Sequence, residues 1–221
     1  MTINSNAAQR WSEAELREEI VRITRIVADQ RLARSSDGNI SVRLAEGRFL
    51  ITPRSVYKMR LRPEDLVVVD ADGNLLEGRD GMGPTSEVAM HMEVYRQRPD
   101  VNAVLHAHPP YATALTLVGL PFPTNYLPEV MIALGPVPTA PYARPQTMAL
   151  ADSIRDLIRE HNNVLLSHHG SISVGPNLEK ALIDLERMEH TAYTYFLSRS
   201  LGEPIPLPEE EVAGLAEVGG W

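Results

Sequence analysis

No cysteine occurs among the 221 residues. Disulfides and thiolate ligands are therefore excluded, and any bound metal must be held by nitrogen and oxygen. Zinc, manganese, cobalt and iron(II) stay open, while a cysteine-ligated structural zinc does not. Basic residues are also short: 21 Lys and Arg face 29 Asp and Glu, for a formal charge of -8. Without a basic face, neither nucleic acid nor an anionic membrane surface is an expected partner, and a small-molecule substrate fits better. No apolar run approaches the roughly 20 residues that span a bilayer. Met1–Arg10 is polar and lacks the apolar core of a signal peptide, so a cytoplasmic protein is expected. There is no internal repeat. The length and an apolar content of 43% suffice for one well-packed core. Residues 1–221 therefore read as a single domain with a core over about 12–200 and an acidic tail over about 204–221.

What is present centres on two histidines. The apolar run Val101–Leu105 delivers His106 and His108 and stops at Pro109-Pro110. In a strand alternate side chains share a face, so both imidazoles can close on one divalent ion. Taken alone, two ordinary polar residues at a strand end explain the pair as well. A second apolar run, Val164–Leu166, ends in Ser167-His168-His169-Gly170, and Glu87 follows Gly83-Pro84-Thr85-Ser86 at a helix start. Histidines at two strand ends plus one carboxylate make the ligand set of an open, catalytic metal site.

Around this set, Ser12-Glu13-Ala14-Glu15 has the form of a capping box for an amphipathic helix over 12–33. Ile40–Leu44 and Phe49–Thr52 read as a hairpin, and Gly38-Asn39 before it as a polar turn that can offer donors to an anion. Arg54, in the loop after the hairpin, can bind a carboxylate or phosphate, or simply be solvated. Asp70-Ala71-Asp72-Gly73-Asn74 lacks the remaining ligands of a calcium loop and reads as a turn into Leu75–Glu77. A helix capped by Thr85 or Ser86 runs to about Arg98, with Glu87 in its first turn. Further helices are expected over 111–118, 146–161 and 177–201, and a buried strand over 164–167. The proline-rich stretch from Pro121 to Pro141 cannot pair throughout as a central strand. Interleaved helices and strands give an α/β, three-layer architecture.

Gly38-Asn39-Ile40-Ser41, Thr52-Pro53, Pro84-Thr85-Ser86-Glu87, His106-Ala107-His108-Pro109 and His169-Gly170, in that order, resemble the class II aldolase/adducin family, whose best-known enzymes act like fuculose-phosphate aldolase. The resemblance covers roughly residues 12–200. It implies an α/β/α fold on a largely antiparallel sheet and a cyclic homotetramer with active sites at subunit interfaces. It also implies one divalent metal ion per subunit, usually zinc, on His106, His108 and His169. Glu87 would be the acid/base, and Ser36, Asn39, Thr85 and Ser86 would line a phosphate pocket. His168 would stand beside the site rather than bind the ion, since consecutive strand residues point to opposite faces. The sequence departs from the family where Ser55, preceded by Arg54, replaces a glycine that approaches phosphate, which makes a carboxylate-bearing substrate credible. It departs again where the family's mid-chain and C-terminal catalytic tyrosines have no counterpart, leaving Tyr126, Glu129 or a neighbouring subunit's residue as the second proton-transfer group.

The function expected is that of a metal-dependent carbon–carbon lyase, an aldolase of carbohydrate metabolism that cleaves a small hydroxylated carbonyl substrate such as a sugar phosphate through a metal-stabilised enediolate. The alternatives are decarboxylation of a hydroxylated, even aromatic, acid on the same site, epimerisation by retro-aldol and re-addition, and a non-catalytic adducin-like module.

Overall fold

The computed structural model describes residues 11–45 and 47–220; Met1–Arg10, Glu46 and Trp221 lie outside the described residues. Ser12 and Glu15 form the expected capping box, each side chain accepting from the other's backbone N–H. The helix they open, α1 (Glu13–Asp29), buries Ile20, Val21, Ile23, Thr24 and Val27. It stops short of residue 33 because Arg31 turns to a φ of 62°, which a right-handed helix does not accommodate.

Two hairpins follow: β1 (Asn39–Arg43) with β2 (Phe49–Ile51), and β3 (Val67–Val69) with β4 (Leu75–Glu77). The Asp70 carboxylate accepts from the backbone N–H groups of Asp72 and Asn74, so this acidic loop is a closed turn. The remaining strands are β5 (Ala103–Ala107), β6 (Thr139–Ala140), β7 (Asn163–Leu166) and β8 (Gly170–Gly175). They form one sheet in the order β4-β3-β2-β1-β5-β8-β7-β6, in which β6–β7 pairs parallel and the other neighbours pair antiparallel.

The helices after α1 are α2 (Val88–Gln97), α3 (Pro110–Leu117), α4 (Pro128–Ala133), α5 (Met148–Glu160), α6 (Leu178–Leu201) and α7 (Glu209–Gly219). One face of the sheet packs its apolar residues, Leu105 and Leu165 among them, against α1, α3 and α6. The other packs Val104, Val164 and Ile172 against α2 and α5. The expected α/β/α layering is therefore present, and a strand covered on both faces, such as β3, is apolar at every position.

The proline-rich stretch contributes α4 and the short edge strand β6, bounded by Pro138 and Pro141, which cannot donate to a ladder. Strand β8 was not expected. Its serines at 171 and 173 between terminal glycines resemble a loop, yet both are fully buried. Among the described residues no helix is long and apolar enough to cross a membrane.

Candidate metal centre and active site

Three segments meet at the end of β5. His106 lies on the strand opposite Ile172 of β8, and His108 follows just past the strand's end. His169 comes from the tight turn joining β7 to β8, closed by the Leu166–Gly170 pair. The ring nitrogens of His106, His108 and His169 lie within 4.8 Å of one another. Glu87 closes the group: Oε2 is 3.2 Å from His106 Nε2, and Oε1 is 3.3 Å from His169 Nε2. His108 Nε2 is 3.1 Å from His106 Nε2.

This convergence depends on a close backbone approach. A Cβ at Gly170 would lie 2.3 Å from the Ala107 carbonyl oxygen and 2.8 Å from His108 Cδ2. Glycine is what lets the β7–β8 turn sit against the end of β5. Glu87 is itself the N-cap of α2 rather than a residue of its first turn, and no side chain caps the helix. Thr85 instead accepts from the Glu87 N–H through Oγ1, at 3.3 Å. Placed ahead of the helix, the Glu87 side chain is free to reach the histidines.

The electrostatics suit cation binding. Burial pushes His108 down to about 3 and His169 to about 4, with the charge of His106 adding to each. Both rings are therefore neutral and have lone pairs to offer. Burial works against ionisation of Glu87, but His106, the Asn39 hydrogen bond and His169 together hold it well below the usual carboxylate range. His106 Nδ1 lies 2.8 Å from the Ser171 carbonyl oxygen, which takes the N–H and leaves Nε2 facing the cluster. A divalent ion fits this donor set: three imidazoles, one carboxylate and no competing lysine or arginine bonded within it.

The other expected site residues divide. Thr52-Pro53 and Pro84-Thr85 run side by side through an isolated bridge between Pro53 and Pro84, and Thr85 N–H donates to the Thr52 carbonyl at 3.1 Å. Arg54 is thereby laid over Gly83, and Ser86 is exposed. Ser55 has a φ of 61°, the left-handed region that suits glycine. Ser36 is exposed in the loop before β1. The Asn39 side chain donates to Glu87 Oε2 at 2.9 Å and contacts His91 through its carbonyl. His168 stands off the cluster, its ring against Tyr142. The reason is a turn conformation with φ 59°, not alternation along a strand. Tyr126 packs on Tyr195 and Glu129 is exposed on α4, and neither is a partner of Glu87 or the histidines.

Three nearby side chains went unread in the sequence. His91 and Tyr95 continue the Glu87 stripe of α2 at four-residue spacing, a signal that was present. Lys58 sits in a short 3-10 turn with no local signal, yet is 4% exposed. Among the described residues it makes no ion pair, and burial pushes it down to about 8 against the pull of Asp37 and Glu87.

The class II aldolase and adducin N-terminal domain model matches residues 18–196. The chain belongs to the class II aldolase/adducin family. It is 36% identical, over 91% of its length and 93% of the relative's, to 5-deoxy-D-ribulose 1-phosphate aldolase of Bacillus thuringiensis serovar kurstaki. It is 35% identical to 3-oxo-tetronate 4-phosphate decarboxylase of Escherichia coli strain K12, over 84% of this chain and 88% of that one. The solved structure of an L-fuculose 1-phosphate aldolase superposes with a TM-score of 0.84 at 31% identity, covering 99% of this chain and all of its own. Within the family this chain is a divalent-metal-dependent lyase acting on a small molecule.

Proposed function

We propose that this chain cleaves a small phosphorylated hydroxy-ketone by retro-aldol reaction. His106, His108 and His169 hold one zinc ion per subunit, and Glu87 handles the proton. The observation that carries the reading is the meeting of three imidazoles and an ionised carboxylate at the ends of β5, the β7–β8 turn and α2. A divalent ion bound there supplies a Lewis acid to adjacent carbonyl and hydroxyl oxygens of the substrate. Glu87, ionised at rest, takes up a proton from solvent on substrate binding and delivers it to the carbon left behind when the bond breaks; in the reverse direction it removes that proton. Ser36, Ser55, Thr85 and Ser86 offer hydroxyl donors to the phosphate, and Arg54 adds a cation over Gly83. The second proton, from the hydroxyl of the departing aldehyde, goes to Tyr126, Glu129 or a residue of a neighbouring copy in a homotetramer. Exposed Leu117 and Val118 at the end of α3 and Phe196 and Leu197 on α6 support such an assembly, and the cytoplasm is its compartment.

Arg54 favours one second reading, decarboxylation of a 3-oxo acid phosphate, because a guanidinium at that position suits a carboxylate. The test is a screen of ketose phosphates and hydroxy or oxo acid phosphates with the zinc-loaded protein, scoring aldehyde and carbon dioxide separately. Aldehyde release from a ketose phosphate supports the aldolase, while carbon dioxide release with Arg54→Ala raising KM for acids alone supports the second reading. No turnover with zinc, manganese, cobalt or iron(II) overturns both.

A further inference from the structure

Beneath the histidines a file of polar side chains runs into the interior between α2 and β1. Glu87, His91 and Tyr95 are spaced four residues apart, so they share one face of α2; Asn39 and Ser41 alternate along β1 and share one face of the sheet. The two stripes interleave. Asn39 Nδ2 donates to Glu87 Oε2 at 2.9 Å, Asn39 Oδ1 meets His91 Nε2, His91 Nδ1 is 2.7 Å from Ser41 Oγ, and Ser41 Oγ is 2.9 Å from the Tyr95 hydroxyl. His91 and Ser41 are fully buried, Asn39 and Tyr95 nearly so.

Chemistry fixes the direction of every link. An ionised carboxylate only accepts, so the Asn39 amide must turn its NH2 to Glu87 and its oxygen to His91. That oxygen requires a proton on His91 Nε2. Burial pushes His91 down to about 3, so the ring holds a single proton and Nδ1 is bare. Nδ1 then accepts from Ser41, and Ser41 accepts from Tyr95, whose phenol burial pushes up and keeps protonated. All four bonds point the same way, toward Glu87. The amide link blocks proton conduction, since an Asn39 nitrogen has no acidic proton to pass on at neutral pH; the file can hold a group still but cannot feed it.

We propose that His91 is a positioning residue. With Ser41 and Tyr95 behind it, it locks the Asn39 amide in the one orientation that donates to Glu87, and so fixes the carboxylate at the metal centre. The proposal rests on the reading of Glu87 as the proton-transfer group, but it also makes a claim that needs no turnover: His91 is the Nε2–H tautomer.

The first measurement is the pair of side-chain 15N shifts of His91 in the zinc-loaded protein at neutral pH without substrate. A protonated Nε2 with a bare Nδ1 is expected, and the reverse pattern overturns the proposal whatever the activity. The second compares His91→Met, which removes both nitrogens, with His91→Gln, which restores a donor toward Asn39, and with Tyr95→Phe, which removes only the far end. His91→Met should lower kcat between about ten- and a hundredfold with KM near wild type and zinc content retained. His91→Gln should recover most of that, and Tyr95→Phe should lose only about two- to threefold. A loss that tracks zinc content, or a His91→Gln no better than His91→Met, overturns it. If His91→Met fails to fold, Tyr95→Phe and the tautomer decide. Absence of any lyase activity in the wild type counts against the function proposed above, and the tautomer result stands apart from it.

Discussion

His106 Nδ1 lies 2.8 Å from the carbonyl oxygen of Ser171, the residue before its cross-strand partner Ile172 on β8. A sheet that pairs these strands in this register commits one ring nitrogen to the backbone and aims the other at His169, His108 and Glu87. Orientation is thereby set before any ion arrives, which reduces the entropy lost on binding.

His106→Ala should therefore abolish metal binding while leaving the strand intact. Elemental analysis is expected to fall from about one ion per chain to near zero, as suits loss of one of three nitrogen ligands. A chelator should lower the melting temperature of the wild type and not that of the variant, because binding to the folded state alone stabilises it, by about 2.7 kcal/mol at a hundredfold excess over Kd. Equal sensitivity of the two proteins to chelator would refute the assignment.

Glu87→Gln preserves shape and can still accept from Asn39, but cannot carry a proton. Turnover should drop by about two to four orders of magnitude, the usual contribution of a positioned acid/base, with KM within a few-fold of wild type and metal retained. A variant with near-normal kcat would remove Glu87 from the chemistry.

Gly170→Ala places a methyl 2.3 Å from the Ala107 carbonyl oxygen and 2.8 Å from the His108 ring. Backbone must shift to relieve this, at a cost of about 1–3 kcal/mol, and the shift separates His169 from His108. Urea denaturation should show the loss of stability and zinc titration a weaker affinity. A normal affinity would mean that the turn moves without carrying His169 away.

Lys58 makes stability depend on alkaline pH. Its unfolded pKa is near 10.4, and burial lowers the folded value to about 8. Below pH 8 both states are protonated and folding bears the full cost of burying the charge, on the order of 3 kcal/mol. Between about 8 and 10.4 the unfolded chain binds the extra proton, so this residue's contribution makes stability rise with pH. Lys58→Met should be more stable than wild type at pH 7, with the difference closing by pH 10. A difference that does not change between those pH values would show that Lys58 is not perturbed.

Much of the architecture was legible because it rests on local pattern. Ser12 and Glu15 announce α1, the turn at Asp70–Asn74 announces β4, and the spacing of His106 and His108 announces a shared face. Strand β8 escaped notice since its buried serines give no apolar alternation to read, and the left-handed conformation of His168 separates it from His169 in a way no periodicity encodes. The cap of α2 was misplaced for a related reason: Thr85 has the right chemistry, but the Pro53–Pro84 bridge and the Thr85–Thr52 hydrogen bond decide where the helix begins.

The sequence by itself determined the donor chemistry: with no cysteine, a divalent ion must be held by histidine and carboxylate, and the order of motifs carries the family. Tertiary structure alone decided which atoms meet. His106 and His169 are far apart in the chain and join only because β5 pairs with β8; Asn39 becomes the hydrogen-bond partner of Glu87 because β1 lies under α2. Periodicity reports which face a side chain takes, whereas strand order and register, set by burial of both faces of the sheet, report what that face meets.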